Sequence, residues 1–191
     1  MTSANGGGRP DPYARCMRSP RRLAAALLAT PVLLTGCAGD PSATAWAASV
    51  CGALAPWRTE IGAFTQRAQE QMKAATTPTQ ARENLLRMFA DASAASERAR
   101  AAVKRAGVPD VAEGRAVALR FERTLSRMRD AYDHARQTVE GLSTAAPDPF
   151  YEGVATAVAT LRREYDAGAM LTARVESPEL KRAFDTAPQC R

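Results

Sequence analysis

The chain has 191 residues, with 26 Lys and Arg against 20 Asp and Glu, a formal net charge of +6. Residues 1–36 hold five of those arginines and one of the acids, so residues 37–191 carry 21 basic against 19 acidic groups. That near-balance removes the electrostatic case for a nucleic-acid partner, and the remaining length gives room for one domain with a buried core but not for two.

The first element is an apolar run, Leu23 to Leu34, behind a basic cluster of Arg18, Arg21 and Arg22. At ~1.5 Å per residue a helix over this run reaches roughly 18 Å, well short of the ~30 Å hydrocarbon core that a spanning helix crosses. Thr35 and Gly36 follow, and the order of charge, short apolar run and small residues is that of a secretory signal. The next residue is a cysteine, and Leu34-Thr35-Gly36-Cys37 resembles the lipobox of bacterial lipoprotein precursors. What the resemblance implies is a diacylglyceryl group on the Cys37 thiol, cleavage by a type II signal peptidase between Gly36 and Cys37, and acylation of the new amino terminus by a chain such as palmitate. The product is then anchored to a cell membrane on its extracytoplasmic face. Each buried methylene is worth ~0.8 kcal/mol, so two or more acyl chains hold stably where one is marginal. The polar stretch ahead of the arginines is long for such a leader. A start at Met17 gives an ordinary length, so we read Met17 as the initiator and residues 1–36, Cys16 among them, as a signal peptide absent from the mature protein.

Residues 37–41 then form a short tether and 42–191 the folded domain. From Cys37 to Ser42 the reach is at most about 16 Å fully extended, which places the domain against the membrane surface. Prolines at 41, 78, 109, 147, 149 and 178 stand near the ends of alanine- and arginine-rich stretches, and the breaks carry helix-start chemistry. Thr77-Pro78-Thr79-Gln80 offers a capping threonine, a first-position proline and a third-position glutamine; Asp110 is followed by Glu113; Asp148-Pro149 and Ser177-Pro178 repeat the cap and proline. The spacing predicts helices at about 42–74, 78–106, 110–141 and 149–174, with a short one at 178–185.

Apolar periodicity makes these helices amphipathic. In the first, Trp46, Val50, Leu54, Trp57, Ile61, Phe64, Ala68 and Met72 lie within about an 80° stripe. Ala118, Phe121, Leu125, Met128, Tyr132, Ala135, Val139 and Leu142 follow a heptad spacing in the third. Alanine-rich stripes mark the second (Leu85, Phe89, Ala92, Ala99, Val103) and the fourth (Phe150, Val154, Ala157, Leu161, Tyr165). Short connections between four such helices predict an all-α, antiparallel four-helix up-down bundle with a short C-terminal helix. An open array of helical hairpins is the alternative, and no internal repeat supports it.

Cys51 and Cys190 are the cysteines left unmodified after maturation, and an exported chain meets oxidising surroundings in which such a pair joins. A fourth helix ending beside the start of the first, with Cys51 on the flank of the first helix's apolar stripe, lets a tail beyond Leu180 and Phe184 reach it. We therefore expect a Cys51–Cys190 disulfide that ties the C-terminal helix back.

Little in the sequence points to chemistry. His134, the single histidine, falls about 150° from the third helix's core stripe and is expected to face solvent, with Asp130 one turn before it. There is no Cys-x-x-Cys, His-Glu-x-x-His, Gly-x-Ser-x-Gly or Glu-x-x-His pattern, so we expect no metal, no cofactor and no catalysis. Two features have binding potential beside a plainer reading. Trp46 and Trp57 share a face and are candidates to line an apolar ligand pocket, although tryptophans so spaced suit a packed core. Arg120, Arg123 and Arg127 form a ridge on the third helix that suits an anionic head group or an acidic partner, or simply a solvated face. "WAASVCGALAPW" and the terminal "PQCR" resemble small helical lipoproteins of actinobacterial type with no assigned activity. The expected function is a membrane-anchored interaction module of the cell envelope for a protein or envelope partner; the alternative is a carrier of an apolar or lipid-like ligand in the bundle core.

Overall fold

A computed structural model describes residues 39–73, 76–168 and 177–191, the side chains at 72, 73 and 167 excepted. Among the described residues five α-helices follow in order: α1 Ala43–Lys73, α2 Pro78–Arg105, α3 Gly114–Glu140, α4 Pro147–Gly168 and α5 Pro178–Thr186, with a terminal 3-10 turn at Pro188–Cys190. The described residues contain no strand. The predicted signal peptide, residues 1–36, and Cys37 lie outside them, as does the side chain of Met72 in the predicted stripe.

Two helix starts are built as their sequences predict. The Thr77 hydroxyl accepts the Gln80 N–H at 3.3 Å while the Gln80 side chain accepts the Thr77 N–H at 3.0 Å, a reciprocal capping box with Pro78 leading α2. Ser177 accepts the Leu180 N–H at 3.3 Å ahead of Pro178 in α5. Two other starts differ. Asp110 does not cap α3: its N–H donates to the Pro41 carbonyl at 2.9 Å, and the chain turns once more before helix begins at Gly114. Glu113, expected to complete a capping box, is instead left-handed at φ 61° and makes no side-chain cap. The cause is a tertiary contact with the start of α1, which outbids a local signal. α4 begins at Pro147, with Asp148 inside its first turn, because either proline of Pro147-Asp148-Pro149 fits a first turn and the earlier one takes it.

α1 also carries Pro56 well inside the helix, a residue the proline punctuation does not account for. It removes one i→i−4 hydrogen bond, to Gly52. Pro56 is exposed, so the freed carbonyl lies on the solvent side.

The helices alternate in direction. α1 runs antiparallel to α2, with Trp46 beside Gly107 and Trp57 beside Ser96. α2 and α3 form the central hairpin, joined by Glu97–Arg129 near its middle and Arg82–Leu142 at its far end. α3 and α4 are antiparallel through Tyr132–Tyr165 and His134–Glu164. The fourth corner of this bundle is shared. α4 packs along the second half of α3 and the start of α2, while α5 packs on the first half of α1. Among the described residues no α1 and α4 Cα atoms come within 8 Å of each other. Among the described residues the partner for the start of α1 is α5; residues 169–174, the predicted end of the fourth helix, lie outside them.

This arrangement divides the core in two. One cluster joins Trp46, Val50, Leu54 and Trp57 to Ala95, Ala99, Val103, Phe121, Leu125, Leu180 and Phe184; the other joins Ala81, Leu85 and Phe89 to Tyr132, Val139, Phe150 and Val154. Ile61 and Phe64 of α1 and Tyr165 of α4 each pack against both clusters and are only half-buried. Burial thus follows the predicted stripes, except that Ile61, Phe64 and Ala68 of α1, Leu142 after α3, and Leu161 and Tyr165 of α4 are only half-buried.

Candidate functional site

The end of the bundle that receives the chain at Pro41 is tied by main-chain and side-chain hydrogen bonds. The Pro41 carbonyl accepts from Asp110, and one turn into α1 the Trp46 indole N–H donates to the Gly107 carbonyl at 2.9 Å. Gly107 has a φ of +78°, which ends α2 and which an L side chain rarely adopts. Gly114 is required by contact: a Cβ there would lie 2.1 Å from the Pro109 carbonyl oxygen. These glycines let the α2–α3 turn fold against the first residues of α1.

Trp46 is fully buried and meets Phe121 and Phe184 edge-on, at ring-centroid distances of 5.4 and 5.9 Å. Phe121 and Phe184 stack on each other at 5.9 Å. Trp57 is buried one stretch further along and donates its indole N–H to the Ser96 hydroxyl at 3.1 Å; that hydroxyl in turn donates to the Ala92 carbonyl at 2.9 Å. Both tryptophans are thus packed core with their polar edges satisfied. The space expected to hold an apolar ligand between them is taken by their protein partners.

Cys51 and Cys190 are joined, with Cα atoms 5.0 Å apart. The bond fastens the terminal 3-10 turn to the flank of α1 and ties the C-terminal helix α5 back, as their placement predicts. Cys37, the expected lipidation site, lies outside the described residues.

Charge on α2 and α3 forms a connected chain. Arg100 and Arg129 both bind Glu97, Arg129 also holds Asp130 at 2.7 Å, and Arg100 reaches Glu122 at 3.8 Å. The hydrogen bond from Arg100 is the main reason that the Glu97 carboxyl sits at about 2, with Arg129 adding to it against a partial burial cost. Burial raises the Tyr132 phenol, and Tyr165 likewise, above the ordinary tyrosine value. These are structural networks between helices, not groups gathered round a cavity.

His134 is exposed, as predicted, and its Nδ1 lies 2.9 Å from a Glu164 oxygen of α4. Asp130, one turn before it, belongs instead to Arg129. Among the described residues no three His, Cys, Asp or Glu side chains are placed to hold a metal ion. Arg120, Arg123 and Arg127 are all exposed on α3, so the structure keeps the predicted ridge on the surface. Sequence reasoning missed two neighbours of that ridge: Arg115, one turn nearer the α2–α3 turn, and Leu119, 43% exposed in the midst of the arginines. Their steps of four, 115 to 119 to 123, were the readable signal.

No protein family, no curated protein and no solved structure matches this chain.

Proposed function

We propose that the chain is a lipoprotein, held through acyl chains on Cys37 to the extracytoplasmic face of a bacterial membrane, whose helical domain binds a protein or envelope partner without catalysing a reaction. The observation that carries this reading is Leu34-Thr35-Gly36-Cys37 behind its basic and apolar segments. Two features of the fold support it. The Cys51–Cys190 bond suits an exported protein, since such bonds persist in oxidising compartments. The helices begin at Ala43, six residues after Cys37, which suits a domain on a short tether. No helix among the described residues is long and apolar enough to cross a membrane, so an attached lipid is what this reading needs for anchorage.

Binding rather than catalysis is favoured by where the polar groups go. The described charged networks link helices to one another, and the buried indole N–H groups are taken by protein acceptors. The alternative of an apolar ligand in the core has no support from Trp46 or Trp57, whose faces are covered. Crosslinking in living cells, followed by identification of what is captured, tests the partner. A partner lost when exposed α3 residues are replaced supports an interaction module; turnover of a captured small molecule by the purified protein contradicts it.

A further inference from the structure

The outward side of α3 is polarised along its length. From Gly114 to Arg129 the helix carries Arg115, Arg120, Arg123, Arg127 and Arg129, with Glu122 as its acid, and Glu122 faces Arg100 of α2. From Asp130 to Glu140 the balance reverses, with Asp130, Asp133 and Glu140 against Arg136. This order runs against the helix dipole, which favours acids at the N-terminal end and bases at the C-terminal end. α3 has no acid in its first turn and no base in its last. The charges are therefore not arranged to stabilise the helix.

Arg115, Leu119, Arg123 and Arg127 follow at steps of four and are all exposed, so they form one continuous outward strip about 18 Å long. The strip starts at the end of the bundle where Pro41 is bonded to Asp110. Three residues separate Cys37 from Pro41, so the chain lets the Cα of Pro41 stand no farther than about 14 Å from that of Cys37. The basic half of α3 is thus the half nearer Pro41, where the tether joins the domain, and the acidic half lies farther along the helix.

We propose that this strip lies on the anionic phosphate head groups of the membrane that holds Cys37, with the Leu119 side chain directed into the interface between head groups and acyl chains. The proposal rests on the lipoprotein reading and adds to it an orientation and a chemical partner. An acidic protein would match the same charge. The tether favours lipid, because the anchor delivers the strip to a phosphate surface at a distance where basic residues gain from it. Around Leu119 the arginines supply attraction and the leucine supplies the apolar contact that a purely solvated face has no use for.

The test uses the full chain, extracted from membranes and reconstituted into vesicles of phosphatidylcholine alone or of phosphatidylcholine with a quarter phosphatidylglycerol. Arginines are modified with phenylglyoxal and followed peptide by peptide by mass spectrometry. The proposal predicts that Arg115, Arg123 and Arg127 react about fivefold more slowly on the anionic vesicles, the change expected for ~1 kcal/mol per basic residue, and that high salt abolishes the difference. Arg67 and Arg162, exposed on α1 and α4, react equally on both. An Arg123→Glu, Arg127→Glu double variant with unchanged circular dichroism loses the dependence on lipid charge. Equal reactivity of the strip on both vesicles overturns the proposal and leaves the anchor standing. Protection that appears only when an envelope protein extract is added, regardless of lipid charge, overturns it in favour of an acidic protein. A chain that does not float with either vesicle in high salt removes the anchor, and the proposal with it.

Discussion

The Pro41 carbonyl accepts the main-chain N–H of Asp110 at 2.9 Å, and the Trp46 indole N–H reaches the Gly107 carbonyl at the same distance. These two bonds fix the first residues of the domain to the α2–α3 turn. Trp46→Phe keeps an aromatic ring but withdraws a donor from Gly107 and leaves unfilled volume beside Phe121 and Phe184. The expected loss is about 2–3 kcal/mol, measured by urea denaturation. Faster hydrogen exchange at the Asp110 amide, confined to this end, is the accompanying sign.

Cys51 and Cys190 close a separation of 139 residues. Replacing both by serine is expected to lower stability by about 3 kcal/mol. It also frees α5, which then depends on Leu180 and Phe184 for its hold on the core. Trypsin cleavage at Lys181 and Arg182 should be rapid in the double variant and slow in the oxidised parent, and reductant should convert the second pattern to the first.

Gly114 and Gly62 should respond in opposite directions to alanine. At Gly114 the new Cβ would meet the Pro109 carbonyl oxygen at 2.1 Å, so the turn must move, at an expected cost of about 2 kcal/mol or more. At Gly62, exposed in α1 with open space around it, alanine should raise stability by about 0.5–1 kcal/mol through helix propensity and a less free unfolded chain. Melting temperatures of the two variants check both signs.

Acid should weaken the α2–α3 hairpin through Glu97. Its carboxyl lies at about 2 in the folded protein, chiefly through Arg100 and then Arg129, below the ordinary value of 4.5. Its contribution is therefore complete above pH 4.5 and is lost as pH falls toward 2. Glu97→Gln should lower stability at neutral pH and flatten the decline across that window, read from denaturation midpoints measured at a series of pH values.

The stripes of α2 and α3 were legible residue by residue because burial of one helix face leaves a 3.6-residue period that any reader can count. Phe89, Val103, Phe121, Leu125 and Val139 are all buried as their spacing predicts. The Thr77 and Ser177 caps were legible for the same reason: their partners lie three residues away. Asp110 was not, because the atom that decides its role belongs to Pro41, far off in sequence. The sharing of the fourth corner by α4 and α5 was hidden too, since amphipathic spacing marks which face is buried and says nothing of which helix covers it. The arginine ridge was visible as spacing, while the place of the α3 start at the end that receives Pro41 depended on that same distant contact.

Residue 37 carries the whole reading of location, and its chemistry is open to direct measurement. The protein is extracted from a membrane fraction of the cells that make it, digested, and the mass of its N-terminal peptide determined. The account predicts a peptide that begins at Cys37 and carries diacylglycerol on its sulfur, lost from the membrane fraction when Cys37 is replaced by serine. A chain that retains Gly36 and the residues before it, with an unmodified thiol at position 37, contradicts the account.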